Sequence, residues 1–233
     1  MRLALALVLG FGASGAWGED ITAARYDGPT TRYAHGVLGD AIEHGELVVT
    51  LASGKLRRFV LPKSRVFEDT EPRLFDVDGD GKAEVITVES DQRQGARLAI
   101  YDSDGLVAVN DFIGRSNRWL APAGVGAADL DGDGRVEFAY VDRPHLAKTL
   151  QIFRYREGKL VPLAALKGVT NHKIGERDIA GGIRDCGRGP EVIVANSNWT
   201  RVLAVTFDGK RAKARDIGPH QGRASFAKAL ACK

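Results

Sequence analysis

Two nine-residue stretches carry carboxylates at a spacing that suits a hard cation. The first reads Asp76-Val77-Asp78-Gly79-Asp80-Gly81-Lys82-Ala83-Glu84; the second, Asp129-Leu130-Asp131-Gly132-Asp133-Gly134-Arg135-Val136-Glu137, follows 53 residues later. In both, the acids fall at positions 1, 3, 5 and 9. Calcium takes about six to eight oxygen ligands, and alternating carboxylates around a tight loop can supply them. The glycines at positions 4 and 6 let the backbone turn back around an ion. At position 7, the backbone carbonyls of Lys82 and Arg135 are expected to face inward while their side chains reach water. Four carboxylates held this close repel one another strongly unless a cation joins them. The expectation is therefore two calcium sites, one from Asp76, Asp78, Asp80, Lys82 and Glu84, the other from Asp129, Asp131, Asp133, Arg135 and Glu137. An EF-hand is excluded, because its twelfth position needs a bidentate Glu and these loops have Thr87 and Tyr140 there, inside strand-like runs.

The elements around the loops repeat as well. After each acidic loop comes a β-rich run (84–88 and 137–141), then a second run (97–101 and 149–155), an Asp-Gly or Glu-Gly turn, and a third run. Such dipeptides between β-rich runs are hairpin turns, because Gly tolerates the positive φ they require. A third copy at 178–191 keeps Glu191-Val192-Ile193-Val194 but has Ala180 and Gly182 where carboxylates are needed, so that unit is expected to be metal-free. Gly36 to Asp40 and 46–50 read as a weaker copy still. Four short antiparallel strands per unit of ~50 residues predict an all-β chain folded as a β-propeller. The blade count comes to about four, with five left open. The units fall near 33–70, 71–114, 121–165 and 175–217 of a single domain spanning 19–233.

The nine-residue loop resembles that of the FG-GAP/VCBS repeats, a family that includes the propeller of integrin α subunits. In that family the loop joins the first and second strands of a blade. The resemblance assigns Asp76, Asp78, Asp80 and Glu84, and likewise Asp129, Asp131, Asp133 and Glu137, to the ligand positions. It covers residues 70–210 or so. Glu at position 9 departs from the Asp usual there, and the Phe-Gly and Gly-Ala-Pro signatures are not evident.

The start of the chain has a different character. Arg2, the apolar run 3–11, small residues and Gly18 read as a secretory signal peptide over 1–18, too short to anchor in a bilayer. The rest shows no membrane-spanning pattern, and a periplasmic or secreted chain is expected. In an oxidising compartment the two cysteines, Cys186 and Cys232, favour one disulfide over two free thiols. A formal net charge of +3 is too small to imply nucleic acid.

In a propeller the remaining loops emerge on the face opposite the metal hairpins. Here they hold Arg115, Asn117, Arg118, Trp119, Arg143, His145, Lys148, Asn171, His172, Glu176, Arg177, Asn198 and Trp199. Arg offers forked donors and Trp a flat apolar platform, a combination suited to an anionic or sugar-like ligand. The same loops could instead only cap the ring, with Trp119 and Trp199 packed between blades. The leading expectation is a binding or scaffold module for a protein or glycan. The alternative is a periplasmic hydrolase or lyase using His145 or His172 with Glu176. Against the enzyme, the chain lacks a Gly-x-Ser-x-Gly elbow, a His-Glu-x-x-His helix and a paired-cysteine metal site.

Overall fold

The β-rich runs that follow the two acidic loops, Glu84–Asp91 and Glu137–Asp142, become strands buried on both faces. The computed structural model describes residues 18–33, 35–114 and 123–233, so the expected signal peptide, apart from Gly18, lies outside the described residues. The strands are β1 (Ile21–Thr30), β2 (Glu43–Leu51), β3 (Leu56–Val60), β4 (Arg65–Phe67), β5 (Arg73–Phe75), β6 (Glu84–Asp91), β7 (Gly95–Tyr101) and β8 (Leu106–Val109). They continue as β9 (Ala123–Ala128), β10 (Glu137–Asp142), β11 (Thr149–Arg156), β12 (Lys159–Lys167), β13 (Val169–Thr170), β14 (Gly182–Asp185), β15 (Pro190–Asn196), β16 (Arg201–Phe207) and β17 (Ala212–Pro219). A helix, α1 (Arg223–Leu230), follows. Among the described residues no helix is long and apolar enough to cross a membrane.

The all-β expectation holds, and every strand pair is antiparallel. Among the described residues, only one of the sheets has the expected four strands, however. The strands form an eight-stranded sheet (β1 to β8), a four-stranded sheet (β9 to β12) and a five-stranded sheet (β13 to β17). The first two expected units merge because β4 pairs with both neighbours, His44 lying opposite Phe67 and Asp91 opposite Arg65. Val66 and Phe67 are fully buried, which holds this three-residue strand between the two units. Strand β1 precedes the 33–70 unit, and residues 37–40 are turn and bend. Most of β1 is polar and partly exposed, so it lacks an apolar alternation from which to read a strand.

Side-chain alternation along the central strands links one core to the next. On β6, Val85 joins a core with Leu47, Val49 and Phe67, while Ile86 and Val88 face Phe138, Tyr140 and Phe153. On β10, Phe138 and Tyr140 face back toward β6, whereas Ala139 and Val141 pack with Val192, Val194 and Phe207. On β15, Ile193 and Ala195 turn to Phe226 and Ala229 of α1. Cores thus follow one another in chain order, and the helix closes the last. The two ends of the series also touch, since the Gly175 amide donates to the Val37 carbonyl at 2.9 Å.

Cys186, in the β14–β15 hairpin, is bonded to Cys232 just after α1, with Cα atoms 5.7 Å apart. The expected disulfide is present. It fits a chain that folds outside the reducing cytosol.

Candidate metal centres and histidine cluster

The β5–β6 and β9–β10 hairpins carry the acidic loops, and each loop is held by its own carboxylates. In the first, Asp76 accepts from the amides of Gly79 (2.7 Å) and Gly81 (2.9 Å), and Glu84 accepts from Val77 at 2.8 Å. In the second, Asp129 accepts from Gly132 (2.8 Å) and Gly134 (2.9 Å), and Glu137 from Leu130 at 2.8 Å. Gly79 and Gly81 have φ of 82° and 85°, and Gly132 and Gly134 have 79° and 85°. These values are readily adopted only without a Cβ. The two backbones therefore match position for position.

One carboxylate oxygen from each of Asp76, Asp78 and Glu84 lies within 4.8 Å of the others, and Asp129, Asp131 and Glu137 converge in the same way. The fifth-position acids stand outside these groups. Asp80 and Asp133 each accept from the amide of the seventh residue, Lys82 at 2.8 Å and Arg135 at 3.0 Å. A buried Glu beside two Asp in an oxygen-only set fits a hard cation such as calcium. Burial pushes the Glu84 carboxyl up to about 7 against the pull of the Val77 amide, and Asp78, Asp80 and Asp76 add to the rise.

Beyond the backbone, the surroundings of the loops diverge. Opposite Glu137, in register on β11, stands Arg154. Its guanidinium is buried and reaches Asp133 at 2.8 Å, Asp131 at 3.1 Å and Glu137. Burial raises the Glu137 carboxyl, and Arg154 opposes that rise. In the first hairpin Val85 pairs with Tyr101, which places Asp102 across from Glu84. Asp102 lines one small cavity, of about 70 Å³, with Asp78, Asp80 and Glu84. Neither Arg154 nor Asp102 is marked by the loop motif, because each is brought to its loop by cross-strand register.

The third hairpin corrects the sequence alignment. Arg184 lies opposite Glu191, as Phe75 lies opposite Glu84 and Ala128 opposite Glu137. Position 1 of this loop is therefore Asp185, and the run to Glu191 is two residues shorter than in the intact copies. Ala180 and Gly182 precede the loop instead of standing at ligand positions. Arg184 (2.7 Å) and Arg215 (2.6 Å) both pair with Glu191 and, against its burial, hold its carboxyl below the usual range.

Of the loop residues expected to face a ligand, Arg115, Asn117, Arg118 and Trp119 lie outside the described residues. His145 and His172 are brought together, with Nε2 and Nδ1 3.1 Å apart. His172 Nε2 contacts the backbone carbonyl of Glu176 at 2.8 Å, and the Glu176 carboxylate faces Arg223 at 3.5 Å. The His172–Glu176 acid–base pair is thus not formed through its carboxylate. Arg143 pairs with Asp142, and Lys148 donates to the Ser197 carbonyl at 2.7 Å. Asn171 is buried, whereas Arg177 and Asn198 are exposed. Trp199 packs edge-on to Phe226 of α1 and to His220, with the Lys173 ammonium 4.7 Å from its ring centre. It is a platform half covered by the helix.

Sequence reasoning missed the buried polar group behind these loops. His35 Nδ1 meets Glu68, and the Ser90 hydroxyl donates to the other Glu68 oxygen. Burial pushes the Glu68 carboxyl up to about 8, with Ser90 opposing. Burial lowers His145 to about 4, and the charges of His172 and His35 add to that. Histidines 35, 145 and 172 therefore influence one another, although 110 residues separate the first two. No sequence spacing signals such a grouping.

Residues 76–140, which contain both acidic hairpins, match the model of the FG-GAP-like repeat. No curated protein matches the chain.

Proposed function

We propose that this chain is an exported, calcium-binding β-propeller module of about four blades, presenting its loops to a protein or glycan partner. The observation that carries the reading is the pair of acidic hairpins, built alike inside the stretch that matches the FG-GAP-like repeat. Asp76, Asp78 and Glu84 would hold calcium in the first hairpin, with Asp129, Asp131 and Glu137 the matching set in the second. The fifth-position acids, Asp80 and Asp133, and the seventh-position carbonyls, Lys82 and Arg135, complete each shell. The ion would supply charge neutralisation and cross-linking of the loop, a structural role. The propeller reading is supported by the chain-order series of cores and by the contact between its two ends. Export to the periplasm or beyond is supported by the apolar run 3–11 and by the disulfide.

Partner recognition falls to the loops around the histidine cluster. The same loops carry Arg143, Lys148, Lys173 and Arg177, with the Lys173 ammonium over the Trp199 ring. That chemistry suits a carboxylate-bearing or sugar-like surface. Thermal unfolding in 1 mM calcium and in excess chelator tests the metal half of the reading. A site with a dissociation constant of ~10 μM adds about 2.7 kcal/mol under those conditions. For a chain of this size, each such site raises the midpoint by roughly 5–10 °C. An unchanged midpoint, with no metal in the purified protein, would remove calcium from the reading.

A further inference from the structure

The three hairpins form an internal series in which arginine comes to face the ninth-position glutamate. Glu84 shares a small cavity with Asp102, which follows the last paired residue of β7 and caps its own turn. Glu137 has Arg154 opposite it, and Glu191 is gripped by Arg184 and Arg215. The third loop, with two arginines, has also shortened and lost the Asp-x-Asp-x-Asp run. The second keeps that run intact around one buried arginine. Its guanidinium engages Asp131, Asp133 and Glu137, taking up carboxylate oxygens that a cation would need.

We infer that Arg154 is a built-in counter-ion for the second loop, so that the folded chain binds one calcium tightly, at the first loop, and the second loop is metal-independent. The inference rests on the calcium reading and narrows it from two ions to one. Four loop carboxylates give the second site a formal charge of −4, which Arg154 reduces to −3, whereas Asp102 brings the first to −5. Calcium entering the second loop would have to displace three charge-assisted contacts and leave a buried arginine without partners, an expensive exchange. At the first loop Asp102 adds to the attraction instead. The fixed fork of an arginine can span several carboxylates at once, which a lysine point charge cannot.

Calorimetric titration of the full chain with calcium alone tests this. The wild type is expected to show one tight site. Asp78→Ala should weaken it at least tenfold, and Asp131→Ala should leave it within about threefold. Arg154→Gln should open a second site, giving two ions per chain, and its unfolding midpoint should become more calcium-dependent than that of the wild type. Should Arg154→Gln fail to fold, the contrast between Asp78→Ala and Asp131→Ala still decides. Two comparable sites in the wild type, or a site lost in Asp131→Ala, would overturn the inference while leaving the calcium reading standing. No binding to either wild type or Arg154→Gln would overturn both.

Discussion

Glu43 is only 3% exposed, and burial pushes its carboxyl up to about 9, with the charge of nearby Glu68 adding to the rise. Glu68 is raised to about 8. Between about pH 4.5 and these values the folded chain keeps protons that the unfolded chain has released, so stability falls as pH rises through that window. His145 acts in the opposite sense on the acid side. Its folded value of about 4 lies below the ordinary 6.5, so the stability it contributes is present above pH 6.5 and is lost as pH falls toward 4. Above pH 6.5 the carboxyls act without that opposition. Denaturant midpoints are therefore expected to decline from pH 6.5 to 9. Glu43→Gln should flatten the decline and stabilise the chain at pH 9 by about 1–3 kcal/mol, the scale of an uncompensated buried polar group. An unchanged slope in the variant would mean that Glu43 is not the group responsible.

Strands such as β6 and β10 form because alternate residues must satisfy two different cores, which leaves little tolerance for a register slip. On the outer face of β15, Ile193 and Ala195 are covered by Phe226 and Ala229 of α1. An eight-residue helix is marginal by itself, and α1 depends on its apolar contacts and on the Cys186–Cys232 bond. The bond closes a loop of 46 residues, for which the chain-entropy model gives about 4 kcal/mol. The Cys186→Ala, Cys232→Ala double variant should lose about 2–4 kcal/mol by equilibrium unfolding. Amide exchange in α1 should accelerate before that in β15. If α1 kept its protection, the helix would be held by packing alone.

Across the whole molecule, cohesion depends on residues that serve two units at once. Phe67 is fully buried on the short strand that pairs with both β2 and β6, and it stacks on Tyr26 with ring centres 5.2 Å apart. Phe67→Ala should cost about 3–5 kcal/mol, the range for a large aromatic removed from a core. If the series of cores unfolds as one cooperative body, amide exchange in β15, at the far end, should accelerate along with that in β2. Acceleration confined to β1 through β8 would instead mark the sheets as separate folding units.

The sequence by itself determined what is encoded locally. The acidic loops, their glycines and the β-rich runs that follow are short, contiguous patterns, and each took the backbone its residue types dictate. The two cysteines were also readable as a pair, because a two-cysteine chain admits one intramolecular pairing. Tertiary structure decided whatever depends on cross-strand register and on which sheets meet. Arg154 and Glu137 lie 17 residues apart, and only the β10–β11 ladder makes the arginine part of the acidic loop. The merging of the first two units depends on β4, too short to carry a periodic signal. The influence of His35 on His145 and His172 depends on the two ends of the chain-order series coming into contact. Neighbours along the chain set turns and strands, but the charge around a metal loop is the sum over everything packed against it, and that sum is a property of the fold.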